Sequence, residues 1–94
     1  MIDALKYIII DYPHMTVRQL LALLLMKTRN NIKSCELAAS MKVNRCAVTR
    51  MWDTLDRYGM IKRKRGVADE RDMNGSLTAK GMKFCDEINN LMEE

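Results

Sequence analysis

Histidine occurs once in this sequence, proline once and aromatic side chains only five times, and each scarcity closes off a reading. The lone His14, between Pro13 and Met15, reads as an ordinary loop residue. There is no HExxH, no nucleophile–base motif and no glycine-rich phosphate loop, so neither an enzyme nor a cofactor is expected. Cys35, Cys46 and Cys85 form an odd, scattered set without a CxxC pair, which argues against zinc or any other metal. Free thiols in a chain without a signal peptide point to a reducing cytoplasm. The longest apolar runs, residues 7–10 and 20–26, fall far short of the ~20 residues that span a bilayer, so no membrane contact is expected.

What the chain does have is enough apolar material for a core. Apolar residues make up 48% of its 94 residues, consistent with a single domain over 1–94. With so few aromatics, that core must rest on Leu, Ile and Val, with nine Met as gap-fillers. The net charge of +4 is modest, but its distribution is uneven. Residues 33–71 hold ten basic side chains against five acidic ones, whereas the tail from Asp86 holds four acids and no base. A cationic middle segment is what a nucleic-acid surface needs.

Apolar spacing at Ile2, Leu5, Ile9 and Tyr12 predicts a helix that Pro13 ends. Thr16-Val17-Arg18-Gln19 reads as a capping box ahead of a buried central helix through Met26, broken at Asn30-Asn31. Ile32-Lys33 reads as a short extended piece, with Ser34 as N-cap of a helix over Cys35–Ser40. Residues 41–43 make a tight connection, Asn44 caps a longer helix over 45–58, and Gly59 suits its left-handed close. Two helices joined this way, the second longer, are the layout of a helix-turn-helix. Residues 60–65 then predict a strand, 66–74 a polar loop and 75–77 a returning strand. Thr78 caps a last helix with Phe84, Cys85, Ile88, Leu91 and Met92 on one face. The expected fold class is mainly α with a small β-hairpin wing, a winged helix-turn-helix.

On the helix over 45–58, Val48, Met51, Trp52 and Leu55 form an apolar stripe at i, i+3, i+4 and i+7. That stripe makes Trp52 a core residue rather than a base-stacking one. The opposite face near the N-terminus presents Arg45, Cys46, Thr49 and Arg50, where a recognition helix meets base edges in the major groove. Arginine suits that place because its fork bonds bidentately to guanine. Asn44 and Thr49 have the size for phosphate or base hydrogen bonds, and helix N-termini such as that at Ser34 favour phosphates. Lys62, Arg63, Lys64 and Arg65 follow in the hairpin, placed to reach the backbone or minor groove. Cys46, a thiol beside Arg45 near a helix N-terminus, is a candidate redox site. Asp69, Glu70 and Asp72 read as a turn rather than a metal site.

The stretch from Glu36-Leu37-Ala38 through Val48-Thr49-Arg50, Leu55, Gly59-Met60-Ile61, Arg63 and Asp69-Glu70-Arg71 to Leu77-Thr78-Ala79-Lys80-Gly81 resembles the MarR family of bacterial and archaeal regulators. The resemblance implies a winged helix that works as a dimer on palindromic operators. It implies that Arg45, Thr49 and Arg50 meet the major groove and that Arg65 and Arg71 serve the wing, Arg71 oriented by Asp69. Glu70 departs from the pattern, standing where the family usually has a base. Family members also use long terminal helices to dimerise and to enclose a small-molecule effector pocket. Here the segments available for a homodimer are helix 2–12 and helix 79–92. The expected function is sequence-specific binding of double-stranded DNA by a bacterial, archaeal or phage-encoded regulator, with helix 45–58 in the major groove and wing 60–77 on the backbone or minor groove. The competing reading is a protein-binding winged helix, an antirepressor or polymerase adaptor without its own operator.

Overall fold

A computed structural model describes residues 2–29, 31–65 and 73–92, Arg65 by its backbone alone. The order is α1 (Ile2–Asp11), α2 (Val17–Thr28), β1 (Ile32–Lys33), α3 (Ser34–Met41), α4 (Arg45–Arg57), β2 (Ile61–Arg65), β3 (Met73–Leu77) and α5 (Ala79–Met92). The strands make one antiparallel sheet in the order β1-β3-β2. This is the expected mainly helical fold with a hairpin. Among the described residues, no helix is long and apolar enough to cross a membrane.

Local chemistry sets the helix ends. Thr16 and Gln19 form a reciprocal capping box on α2, each side chain accepting from the other's backbone N–H. Asn44 Oδ1 accepts from Ala47 N at 2.8 Å and starts α4. Each such cap stabilises its helix by about 1 kcal/mol. Gly59 follows α4 with φ +76°, a conformation that glycine adopts without a Cβ penalty. Thr78 then closes the junction between the hairpin and α5: its hydroxyl donates to Gly59 O at 2.6 Å and accepts from Gly81 N at 3.1 Å.

The core runs through all the helices. Leu23 and Met26 of α2, Leu37 of α3, Val48, Trp52 and Leu55 of α4, Met60 and Ile61 before and in β2, and Ile88 of α5 are all buried. Burying side chains of this size is worth roughly 1.5–3 kcal/mol each. Between α1 and α5 the packing is aromatic, with Tyr12 edge-on to both Phe84 (centroids 5.0 Å apart) and Tyr58 (5.8 Å). Lys27 of α2 pairs with Asp86 of α5, and Arg29 with Glu36 of α3.

Three local expectations need correction. Ser34 is not an N-cap: Lys33 takes that place without a side-chain hydrogen bond, and Ser34 is the first residue of α3, 4% exposed, so it does not present the DNA-facing hydroxyl its sequence position suggests. The reason is the pairing of Ile32 with Gly75, which draws the chain into the sheet and lets α3 start directly from an extended Lys33. The returning strand starts at Met73 rather than Gly75, so Met73 and Asn74 belong to the ladder and not to a loop. At the C-terminal end, Met92 is exposed and only Phe84, Cys85 and Ile88 of the expected apolar face are fully buried, with Leu91 half-buried.

Candidate nucleic-acid interface

Helix α4 divides as its sequence requires. Val48, Met51, Trp52 and Leu55 face inward, and Trp52 is only 1% exposed. Arg45, Cys46, Thr49 and Arg50 are exposed on the other side of its first turns. The Thr49 hydroxyl donates to Arg45 O at 3.1 Å, which leaves its oxygen able to accept a further hydrogen bond. Asn44 is exposed but spends its side-chain oxygen on the cap. Arg50 makes no ion pair or hydrogen bond to another described side chain, so its fork is available to a ligand.

Residues 62–64 of the basic run are divided between the two faces of the hairpin. Strand side chains alternate between faces, so Ile61 and Arg63 point toward α4 while Lys62 and Lys64 point away and are exposed. Arg63 donates from Nη1 to Asp53 Oδ1 at 2.7 Å and from Nη2 to Asp56 Oδ2 at 3.1 Å. Partial burial lowers its basicity, but the hydrogen bonds and charges of the two carboxylates outweigh that and raise its pKa. The basic run alone puts Arg63 with its neighbours among the phosphate ligands; in the structure its guanidinium is engaged with Asp53 and Asp56 of α4. Arg71 and Asp69, together with the side chain of Arg65, lie outside the described residues.

Two further basic residues of the cationic segment, Lys42 and Lys33, are exposed. Lys42 sits in the turn between α3 and α4 with φ +57°, exposed in a left-handed conformation. Lys33 pairs with Asn74, which pairs in turn with Lys64, so the three cross the sheet in one row. The period-two pattern of Ile32-Lys33 carried that signal, but only the strand register turns it into a neighbour of Lys64. Cys46 is exposed near the start of α4, as is Cys35 near the start of α3. Cys85 is buried, its thiol donating to Leu23 O at 3.5 Å, and burial pushes its pKa up to about 11 against a smaller opposing pull from Lys27. Among the described residues, no cluster of His, Cys, Asp or Glu has the arrangement to hold a metal ion.

Known proteins resemble this chain in sequence and in fold. Residues 15–73 match the family model described as MarR family. The HTH-type transcriptional regulator PapX of Escherichia coli is 32% identical over 73 residues, covering 78% of this chain and 44% of PapX. The YusO protein of Bacillus subtilis superimposes with a TM-score of 0.75 at 33% identity, over 81% of this chain and 54% of that one. A cysteine-to-serine variant of MarR from Escherichia coli, complexed with operator DNA, matches with a TM-score of 0.75 at 28% identity, over 83% and 56%. This chain therefore spans about half the length of those relatives. Given the family match across most of the chain and the winged helix-turn-helix it adopts, this protein belongs to the MarR family.

Proposed function

We propose that this chain, as one winged-helix unit over 1–94, binds double-stranded DNA sequence-specifically and regulates transcription. In this reading the N-terminal turns of α4 enter the major groove, with Arg45, Thr49 and Arg50 toward base edges. Lys33, Lys42, Lys62 and Lys64 then meet phosphates along the groove walls. The observation that carries the reading is the split of α4, whose buried seam of Val48, Met51, Trp52 and Leu55 leaves Arg50 and Thr49 outward. A relative of the same fold complexed with operator DNA supports the choice of partner. Selection of bound sites from random duplex DNA, with native mass measurement of the complex, tests it. Enrichment of a defined sequence is the expected result; no retention of any duplex at low salt overturns it.

The regulator is proposed to act as a homodimer. Helix α1 exposes Ile2 (71%), Ile9 (68%) and Ile10 (76%), and Val17 at the start of α2 is 82% exposed. Leu5, Ile8, Ile9, Met15, Val17 and Leu20 line an apolar groove of about 230 Å³ between these two helices. On α5, Met82 and Met92 are also exposed. An apolar surface of this kind on a small domain calls for a cover. A second copy meets that need and matches a palindromic site with two-fold protein symmetry.

A further inference from the structure

We propose that Arg63 is a positioning residue that sets the hairpin against the recognition helix through Asp53 and Asp56, and is not itself a phosphate ligand. The proposal rests on the DNA-binding reading of α4 and reassigns one of its basic residues.

Three observations carry it. First, the two carboxylates stand three residues apart on α4, one helical turn, so that a single planar fork from β2 spans them with one N–H on each. A lysine at this position would offer a point charge and no fork. Second, the charges do not balance. Two carboxylates around one guanidinium carry a net −1 before the neighbouring Arg57, whose Nε donates to Asp53 O at 3.4 Å, is counted, so a phosphate approaching Arg63 has to compete with both carboxylates for its fork. The Arg63 side chain is 24% exposed, whereas Asp53 and Asp56 are 49% and 47% exposed and face any incoming backbone first. Third, the contact lies where it has leverage. Ile61 is buried at the base of β2, and Arg63 is the next residue on the same face, opposite Gly75 in the ladder. Because β2 and β3 pair continuously from Ile61↔Leu77 to Arg65↔Met73, a tether at Arg63 fixes the direction of both strands.

The cluster also marks a limit on α4. Its first two turns carry Arg45 and Arg50, while the next carries Asp53 and Asp56 ahead of Arg57, so the N-terminal half of the helix is the more cationic.

The test compares four variants of the full chain: Arg63→Gln, Arg63→Lys, the double variant Asp53→Asn/Asp56→Asn, and Lys64→Gln. In the free protein, residual dipolar couplings of the β2 and β3 amides report hairpin direction relative to α4. Arg63→Gln and the double aspartate variant are expected to change these couplings alike, Arg63→Lys less, and Lys64→Gln not at all. Couplings unaltered by Arg63→Gln overturn the proposal.

On a selected duplex, Lys64→Gln is expected to lower the slope of log K against log salt by about one. Arg63→Gln is expected to leave the slope unchanged while weakening the selected duplex about tenfold more than random DNA. A slope lowered by about one for Arg63→Gln makes it a phosphate ligand and ends the proposal. If the unaltered protein binds no duplex at low salt, the DNA-binding reading fails instead. The dipolar couplings still decide whether Arg63 positions the hairpin.

Discussion

The indole of Trp52 fills the space where a side chain on Gly75 would stand, since a Cβ built there would lie 2.6 Å from Trp52 Cζ2. The recognition helix and the sheet thus meet through a ring pressed on bare backbone. Trp52 is buried within the core, so the ring has no room to retreat. Gly75→Ala is therefore expected to destabilise the fold by about 1–3 kcal/mol through overpacking. Urea unfolding followed by the fluorescence of this sole tryptophan reads the change directly. An unchanged midpoint would mean that the indole does not rest on β3.

Arg50 and Lys64 are expected to fail in different ways. Arg50 lies on the outward face of α4, and losing a bidentate contact to a base costs about 1–3 kcal/mol on the selected duplex and much less on random DNA. Lys64→Ala is expected to weaken both alike and to lower the salt dependence by about one ion. Fluorescence anisotropy titrations at several salt concentrations separate the two patterns. Equal losses on both duplexes for Arg50→Ala would remove it from base readout.

Features set by a few neighbouring residues were legible from sequence, and features set by register were not. Thr16 with Gln19, Asn44 with Ala47, and Gly59 at positive φ each follow from chemistry within a turn of the chain. The α4 stripe was equally visible because a helix fixes its own periodicity. The engagement of Arg63 with α4 is not legible locally, because Lys62, Arg63 and Lys64 look uniform in sequence until strand alternation divides them between two faces. The partners of Arg63, Asp53 and Asp56, are ten and seven residues away, in another element, and carry no local mark. Asn74 resembled a loop residue and Ser34 a cap for the same reason: the pairing of β1 with β3 overrode the local preference of each.

The three thiols are expected to react at two rates. Cys35 and Cys46 are exposed, whereas Cys85 is buried with its proton directed at Leu23 O. Alkylation of the folded protein at neutral pH should label the first two and leave Cys85 until unfolding. Cys46 stands on the outward face of α4, so a bulky adduct there is expected to block DNA more than one at Cys35.

Cys85 also makes stability fall in alkali. Its pKa is 9.0 in an ordinary setting and about 11 when buried. Below pH 9 both folded and unfolded chains hold the proton; between pH 9 and 11 the unfolded chain releases it and the folded chain does not. Stability therefore declines across that window, by up to about 3 kcal/mol. Urea unfolding of the native protein and of Cys85→Ala at pH 8 and pH 11 checks this. Parallel losses in the two proteins would show that other groups carry the alkaline effect.

Ile9 offers the most direct test of pairing between copies. It is 68% exposed on α1 and lines the apolar groove with Leu5 and Val17. A charge there costs a separate monomer little, within about 0.5 kcal/mol, because the side chain already meets water. In a dimer the same charge would be buried without a partner, a cost of several kcal/mol. Ile9→Glu is thus expected to leave unfolding unchanged in the monomer while shifting sedimentation from dimer to monomer and abolishing binding to two half-sites at once. Unaltered protein that sediments as a monomer at high concentration would leave the groove to another partner and limit each chain to a single half-site.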